Sequence, residues 1–324
     1  MTNETLAQYS NLSLYSAMAV LTIAMVCYAV YLAGLVPARD RTASREPSLV
    51  AAGGPSDERA VAPAAPSAGD LDDPVPLRAR KAAGIAGTTT WLGALLLVLA
   101  VALRGLSVHR WPLGNMFEFA VMASAITTVA YAAWSTRRDL RWLGLFVTTP
   151  VLLVLGMAVT VWYTEAAQLL PSLRSYWLVI HVTVANIAVA AFTLGMALTV
   201  VYLVKDAFAR SSRASLLDRF PAPAALERLA YSLHIVAFPL WTFSLIAGAI
   251  WARQAWGSYW NWDPKEVWTF VIWVVYAAYL HARATSGVSR QTVSWVALAG
   301  YACIIVNYGV VNVFFVSQHS YSGL

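Results

Sequence analysis

The segment Trp256-Gly257-Ser258-Tyr259-Trp260-Asn261-Trp262-Asp263-Pro264-Lys265-Glu266-Val267-Trp268 sets four tryptophans and a tyrosine between two long apolar runs. A water-facing loop is ordinarily built from small polar residues. Five large flat side chains at the edge of an apolar run offer a stacking surface for a planar apolar ligand, or else an interfacial aromatic belt, which is usually sparser. The same segment marks a helix start. Asp263 can cap, Pro264 suits the first helical position, and Glu266 completes a capping-box spacing. Trp256 and Trp260, four apart, are predicted to share one face of a short surface helix, with Trp262 close behind.

The rest of the chain explains why such a loop lies at a membrane boundary. Its 324 residues are 59% hydrophobic and 12% charged, with a mean hydropathy of +0.61, beyond the range of a soluble globular chain. Apolar runs of about 18 residues or more, enough to cross the hydrocarbon at about 1.5 Å per residue, recur along it. Eight spans are expected: Leu14 to Val36, Gly84 to Leu103, Met116 to Trp134, Trp142 to Trp162, Trp177 to Val204, Leu229 to Trp251, Val267 to His281 and Thr292 to Val316, the seventh being short, with a start that depends on the tryptophan segment. The fold class is therefore an all-α, polytopic integral membrane protein with eight transmembrane helices.

Charge sets the expected sidedness, because cationic loops stay cytoplasmic. With the N-terminus outside, the inner segments hold 17 of the 22 Lys and Arg, and the outer ones hold Arg104, Arg110, Arg174, Arg253 and Lys265. Both termini and the tryptophan segment are then extracytoplasmic. The net charge of +6 reads as a topology signal and gives no reason to expect a nucleic-acid partner.

Residues 1–36 read as a retained N-terminal transmembrane helix, without a basic region before it or a clear cleavage site after it. Residues 37–83, rich in Ala, Pro, Gly, Ser, Asp and Arg, are expected to be a disordered cytoplasmic linker. Residues 84–324 form the main membrane domain. In the 205–228 loop, Ala225 to Leu229 is a candidate interfacial helix. Cys27 and Cys303 lie in separate spans with no Cys-x-x-Cys pair, which argues against thiol exchange.

Five histidines fall in or beside the spans, where ionisable groups are costly and usually functional, although one can simply bond a neighbouring helix. His181 lies about one turn into the fifth span and His319 just beyond the eighth, both on the face of the tryptophan segment. Two neutral imidazoles on opposite faces of a planar macrocycle would make a bis-histidine axial pair for haem iron. His281 ends the seventh span, roughly 27 Å of helix from Asp263, and would serve a second, inner site or pack against a helix. His234, near the inner end of the sixth span, reads as structural, and His109 as a solvated interface residue.

Trp256 to Trp268, continuing to Trp273 and to Leu280-His281-Ala282-Arg283, resembles the WWD domain of haem-handling proteins. Within that group, Asp263-Pro264-Lys265-Glu266-Val267-Trp268 resembles the CcsA- or ResC-type subunit of the system II cytochrome c synthase, called CcsB in some bacterial lineages. Trp111-Pro112-Leu113-Gly114-Asn115-Met116-Phe117-Glu118 is similar to an outer element of that family. So are Ser175 to Val182, around His181, and Asn312 to Tyr321, around His319. The resemblance spans roughly residues 84 to 324. Gly114 and Phe117 depart from the family's usual Ser and Tyr, and His234 matches no family histidine.

The resemblance implies that His181 and His319 are external axial ligands of haem b, and that His281 is a transmembrane ligand paired with a histidine of a CcsB- or ResB-like partner subunit. It implies that Trp256, Trp260, Trp262, Asp263, Trp268, Asn115 and Glu118 contribute to haem binding. The implied activity is that of a holocytochrome c synthase (haem lyase) subunit in the bacterial plasma membrane. It would join haem vinyl groups to the Cys-x-x-Cys-His segment of apocytochrome c, with a thioredoxin-like protein keeping the thiols reduced. A haem-delivery chaperone or exporter without ligase activity is the alternative, as is a transporter of another amphipathic substrate. Arg174, Arg253 and Lys265 are candidates for the haem propionates.

Overall fold

The computed structural model describes residues 2–35, 75–169, 173–209, 217, 220–315 and 317–318. Among these the regular structure is entirely helical: α1 (Glu4–Leu35), α2 (Leu77–Val108), α3 (Met116–Ser135), α4 (Gly144–Thr160), α5 (Tyr176–Ala209), α6 (Pro223–Trp256), α7 (Pro264–Ala284) and α8 (Arg290–Ile305). A 3₁₀ turn, Arg141–Leu143, leads into α4, and α8 runs on through a π turn, Val306–Val311, to Phe314. Among the described residues, eight helices are long and apolar enough to cross a membrane. Many large apolar side chains point outward, such as Leu12 at 60%, Leu95 at 61% and Leu153 at 67% exposure, as a lipid-facing surface requires.

Several helices are longer than their apolar runs. α2 begins at Leu77, so residues 77–83 of the expected linker are helical, whereas 37–74 lie outside the described residues. Arg78, Arg80 and Lys81 had hidden that start, because charge interrupts hydropathy without interrupting a helix. Ala225 to Leu229 likewise belongs to the first turns of α6 and is not a separate surface helix. α1 packs along the length of α2, with Ser10 Oγ donating to the Ala100 carbonyl at 2.7 Å and Ser13 Oγ to that of Leu96 at 2.8 Å.

Two helical groups share α5. On one side α1 to α4 pack around Tyr28, Tyr131 and Leu155. On the other, α6 to α8 close over Phe192, Trp241 and Tyr276. The loops at one end of the bundle are tied together: Asn3 N–H donates to the Ser107 carbonyl, Asn11 Nδ2 to Tyr163 Oη, and Ser175 Oγ to Gln254 Oε1. At the opposite end Glu227 binds both Arg283 and Arg290.

Candidate functional site

The tied end carries the tryptophan segment, and three expectations about it meet the structure differently. The helix start is as read: Asp263 caps α7, its Oδ1 accepting from Lys265 N–H at 3.0 Å, while Glu266 Oε2 accepts from Asp263 N–H at 3.2 Å, a complete capping box. The short surface helix does not form. Trp256 is the last residue of α6, Gly257 ends that helix at φ +81°, and Trp260 lies in the extended stretch beyond. A left-handed residue reverses the chain, so the spacing of four carries no shared face there.

The tryptophans consequently separate. Trp256 packs edge-on against buried Trp251, ring centroids 4.9 Å apart, and Trp260 lines a partly open cavity and meets Trp262 at 5.9 Å. Trp262 has φ +57° and is 72% exposed. That conformation is costly for a bulky residue and is held because Glu266 Oε2 takes both flanking amides, those of Asn261 and Asp263. Trp268 stands half-buried in the first turns of α7.

The cavity has a volume of about 700 Å³ and is lined by α3, α5, α6, α7 and α8, with exposed residues of α4, Leu153 and Met157, along one open side. Most of its lining is apolar, the pattern of a site for a large hydrophobic ligand. His181 stands on its wall. Its Nδ1 lies 2.8 Å from the Ser244 carbonyl, an acceptor, so the proton sits on Nδ1 and the ring lone pair belongs to Nε2. Trp251 stacks on the imidazole at 6.3 Å. Gly248 makes the room: a Cβ there would lie 2.8 Å from His181 Cε1. Ser244 and Gly248 escaped the sequence reading, although Ser244, Gly248 and Ala252 form a small-residue stripe of the kind that lets membrane helices approach closely.

His319 lies outside the described residues, but its predecessor does not. Gln318 N–H donates to Asp263 Oδ2 at 2.8 Å, and Asn261 Nδ2 donates to Gln318 Oε1 at 3.1 Å. The carboxy-terminal tail therefore reaches the tryptophan segment, and Asp263 caps a helix and anchors that tail with the same carboxylate. His281 is exposed near the end of α7, at the opposite end of the bundle.

Asn115 lines the cavity, and its Oδ1 caps α3 by accepting from Glu118 N–H at 2.8 Å. Glu118, expected at the ligand, is turned away from it. Its fully buried carboxylate takes Arg104 at 3.2 Å, Arg110 at 2.8 Å and the Gly114 amide at 2.8 Å. Arg104 is correspondingly buried at 3% exposure and not an outer-surface charge. A buried carboxylate with two guanidinium partners has no capacity left for a ligand, so Glu118 organises the loop that presents Asn115.

The three candidate propionate partners also divide. Arg174 donates to the Leu169 carbonyl and Arg253 to that of Gly257, and both are exposed. Lys265 lines the cavity.

Residues 111–318 match the model of the family described as cytochrome c assembly protein. A cytochrome c biogenesis protein CcsA of Mesostigma viride is 30% identical over 253 residues, covering 70% of this chain and 82% of its own length. One from Prochlorococcus marinus (strain NATL1A) is 35% identical over 261 residues, covering 70% and 81%. One from Synechococcus sp. (strain CC9311) reaches 39% over 184 residues, covering 48% and 60%. Among solved structures, the cytochrome c haem lyase CcmF superposes with a TM-score of 0.62 at 14% identity over 95% of this chain. This chain spans 47% of that protein, and the likeness concerns the fold alone.

Proposed function

We propose a role in haem attachment from one premise: this chain belongs to the cytochrome c assembly protein family and is of CcsA type. It is a multi-pass membrane protein of cytochrome c biogenesis. Its finer role in our reading is to hold haem at the tryptophan end of the bundle and present its vinyl edge to apocytochrome c. Each cysteine thiol of a Cys-x-x-Cys-His segment then adds across one vinyl group, sulfur to one carbon and hydrogen to the other.

The observation that carries this reading is the placement of His181. His181, an imidazole whose Nδ1 proton is given to a backbone carbonyl, lines a large apolar cavity beside a loop to which the residue preceding His319 is tied. That is the arrangement an axial ligand needs, with tautomer and ring orientation fixed before the ligand arrives. The lining suits a porphyrin in chemistry as well: apolar walls, aromatic faces and few polar groups. The chain contributes position. Rings and histidines that fix the macrocycle convert a bimolecular addition into one of defined geometry.

In this proposal His281 serves an inner haem site with a histidine of a CcsB- or ResB-like subunit. The active face is extracytoplasmic in a bacterial plasma membrane, and a thioredoxin-like protein supplies reduced thiols. The test co-expresses the chain with that subunit and a c-type apocytochrome, carrying His181→Ala or His319→Ala. We expect a diminished or shifted Soret band in the purified complex and loss of cytochrome haem that survives acid-acetone extraction, partly restored by imidazole. Unchanged spectra in both variants would remove the axial-ligand reading. Bound haem without covalent product from the wild-type pair would favour delivery over synthesis.

A further inference from the structure

The π turn Val306–Val311 widens α8 where it passes the start of α7, and polar side chains collect around Tyr308 there. Lys265 Nζ donates to the Asn307 carbonyl at 3.1 Å and lies 5.6 Å from the Tyr308 ring centroid. The Trp162 ring meets Tyr308 edge-on at 4.9 Å, and Asn312 Nδ2 donates to the Tyr308 carbonyl at 3.0 Å. Asn307 Nδ2 is spent on Thr269 Oγ1. All five of Lys265, Trp162, Asn307, Tyr308 and Asn312 line the cavity.

What these groups lack is more telling than what they have. Trp162, Asn307 and Asn312 are 4%, 4% and 5% exposed, yet among the described residues Trp162 Nε1, Asn307 Oδ1 and Asn312 Oδ1 have no hydrogen-bond partner. Among the described residues Lys265 forms no ion pair within 4 Å, and the nearby Asp263 carboxylate, which also accepts from two backbone amides, acts on it only through its charge. An unpaired buried donor or acceptor is costly, and a cation beside an apolar cavity is costlier still. Around Tyr308 the cavity lining thus holds a cation with no ion-pair partner in contact, a donor wanting an acceptor and two acceptors wanting a donor. Bulges of the π type are frequent at functional sites, where they turn backbone and side chains toward a ligand.

We propose that Lys265, Trp162, Asn307 and Asn312 form a carboxylate-binding subsite inside the cavity. Resting on the haem reading above, we assign its occupant as a porphyrin propionate. The ammonium and the indole N–H donate to the carboxylate oxygens, and a water held by that carboxylate donates to the two amide oxygens. Arg174 and Arg253 are not part of it, since both guanidiniums bond loop carbonyls at the exposed surface.

The test measures binding of metal-free protoporphyrin IX and of its dimethyl ester to the purified full-length chain with its partner subunit, by fluorescence. Iron ligation plays no part in this assay. Wild type should prefer the free acid by about tenfold or more, the scale of one charge-assisted hydrogen bond. Lys265→Met should abolish the preference and Lys265→Arg keep it. Trp162→Phe, which removes only the N–H donor from a ring that still packs on Tyr308, should reduce it and stands independently should Lys265→Met not fold. Equal affinity of wild type for acid and ester would overturn the subsite while leaving porphyrin binding intact. Failure to bind either compound would overturn the subsite, while the His181→Ala and His319→Ala spectra decide the haem reading separately. Displacement of protoporphyrin by oleate, dependent on Lys265 and without acid-over-ester preference, would reassign the subsite to a lipid carboxylate.

Discussion

Two histidines in this bundle occupy reciprocal positions and end up with opposite characters. His181 on α5 presses its ring against Gly248 of α6, and His234 on α6 presses its ring against Gly195 of α5, where a Cβ would lie 2.6 Å from His234 Cε1. Both use one device, a glycine on the facing helix that makes space for an imidazole. Their surroundings differ. His181 borders the cavity and gives its Nδ1 proton to a carbonyl. His234 is completely buried among Phe192, Tyr276 and Tyr279; among the described residues its Nδ1 has no hydrogen-bond partner, and Nε2 reaches Thr199 Oγ1 at 3.5 Å. A histidine in a membrane helix is thus not a functional group by residue type alone. An open space and a fixed tautomer are what the proposed ligand His181 has and His234 lacks.

The comparison breaks or sharpens most directly at the two glycines. Gly248→Ala should drive the His181 ring off the Ser244 carbonyl and lower covalent haem yield about 10- to 100-fold, the usual cost of disturbing a ligand's supporting contacts. Assaying matured cytochrome c at matched protein levels checks this, and normal yield would show that the ring tolerates the shift. Gly195→Ala should overpack the His234 pocket and cost about 1–3 kcal/mol of stability, seen as a lower thermal midpoint in detergent, with the haem spectrum unmoved. The smallest effect belongs to His234→Leu. Removing a buried ring whose polar atoms are poorly satisfied should change stability by about 1 kcal/mol or less. Loss of haem absorbance as deep as that of His181→Ala would instead place His234 among the ligands.

Much of this architecture was readable because the membrane imposes so narrow a menu. Eight apolar runs can only be helices, and Asp263-Pro264-x-Glu266 announces a helix start by local chemistry that tertiary contacts need not complete. Partner choice was not readable. Hydropathy states that Glu118 and Arg104 sit near a boundary but not that they find each other inside it. The spacing of Trp256 and Trp260 implied a shared face until Gly257 turned the chain. Three outer cations looked equivalent until the cavity touched one of them, Lys265. The π turn left no mark at all, because the extra residue in a turn is a matter of register between α8 and its neighbours.

That single wide turn has an angular consequence. One additional residue in a helix offsets everything after it by about 100°, since each residue of an α-helix advances the chain by that much. Upstream of it Tyr301 faces the same interior space as Asn312 does downstream, and Gln318 arrives at Asp263 rather than at lipid. Phasing in α8 thereby aims Gln318 at Asp263, so a deletion as modest as one valine from Val306–Val311 would swing Gln318 away around the helix axis while leaving every side chain named for the site chemically intact.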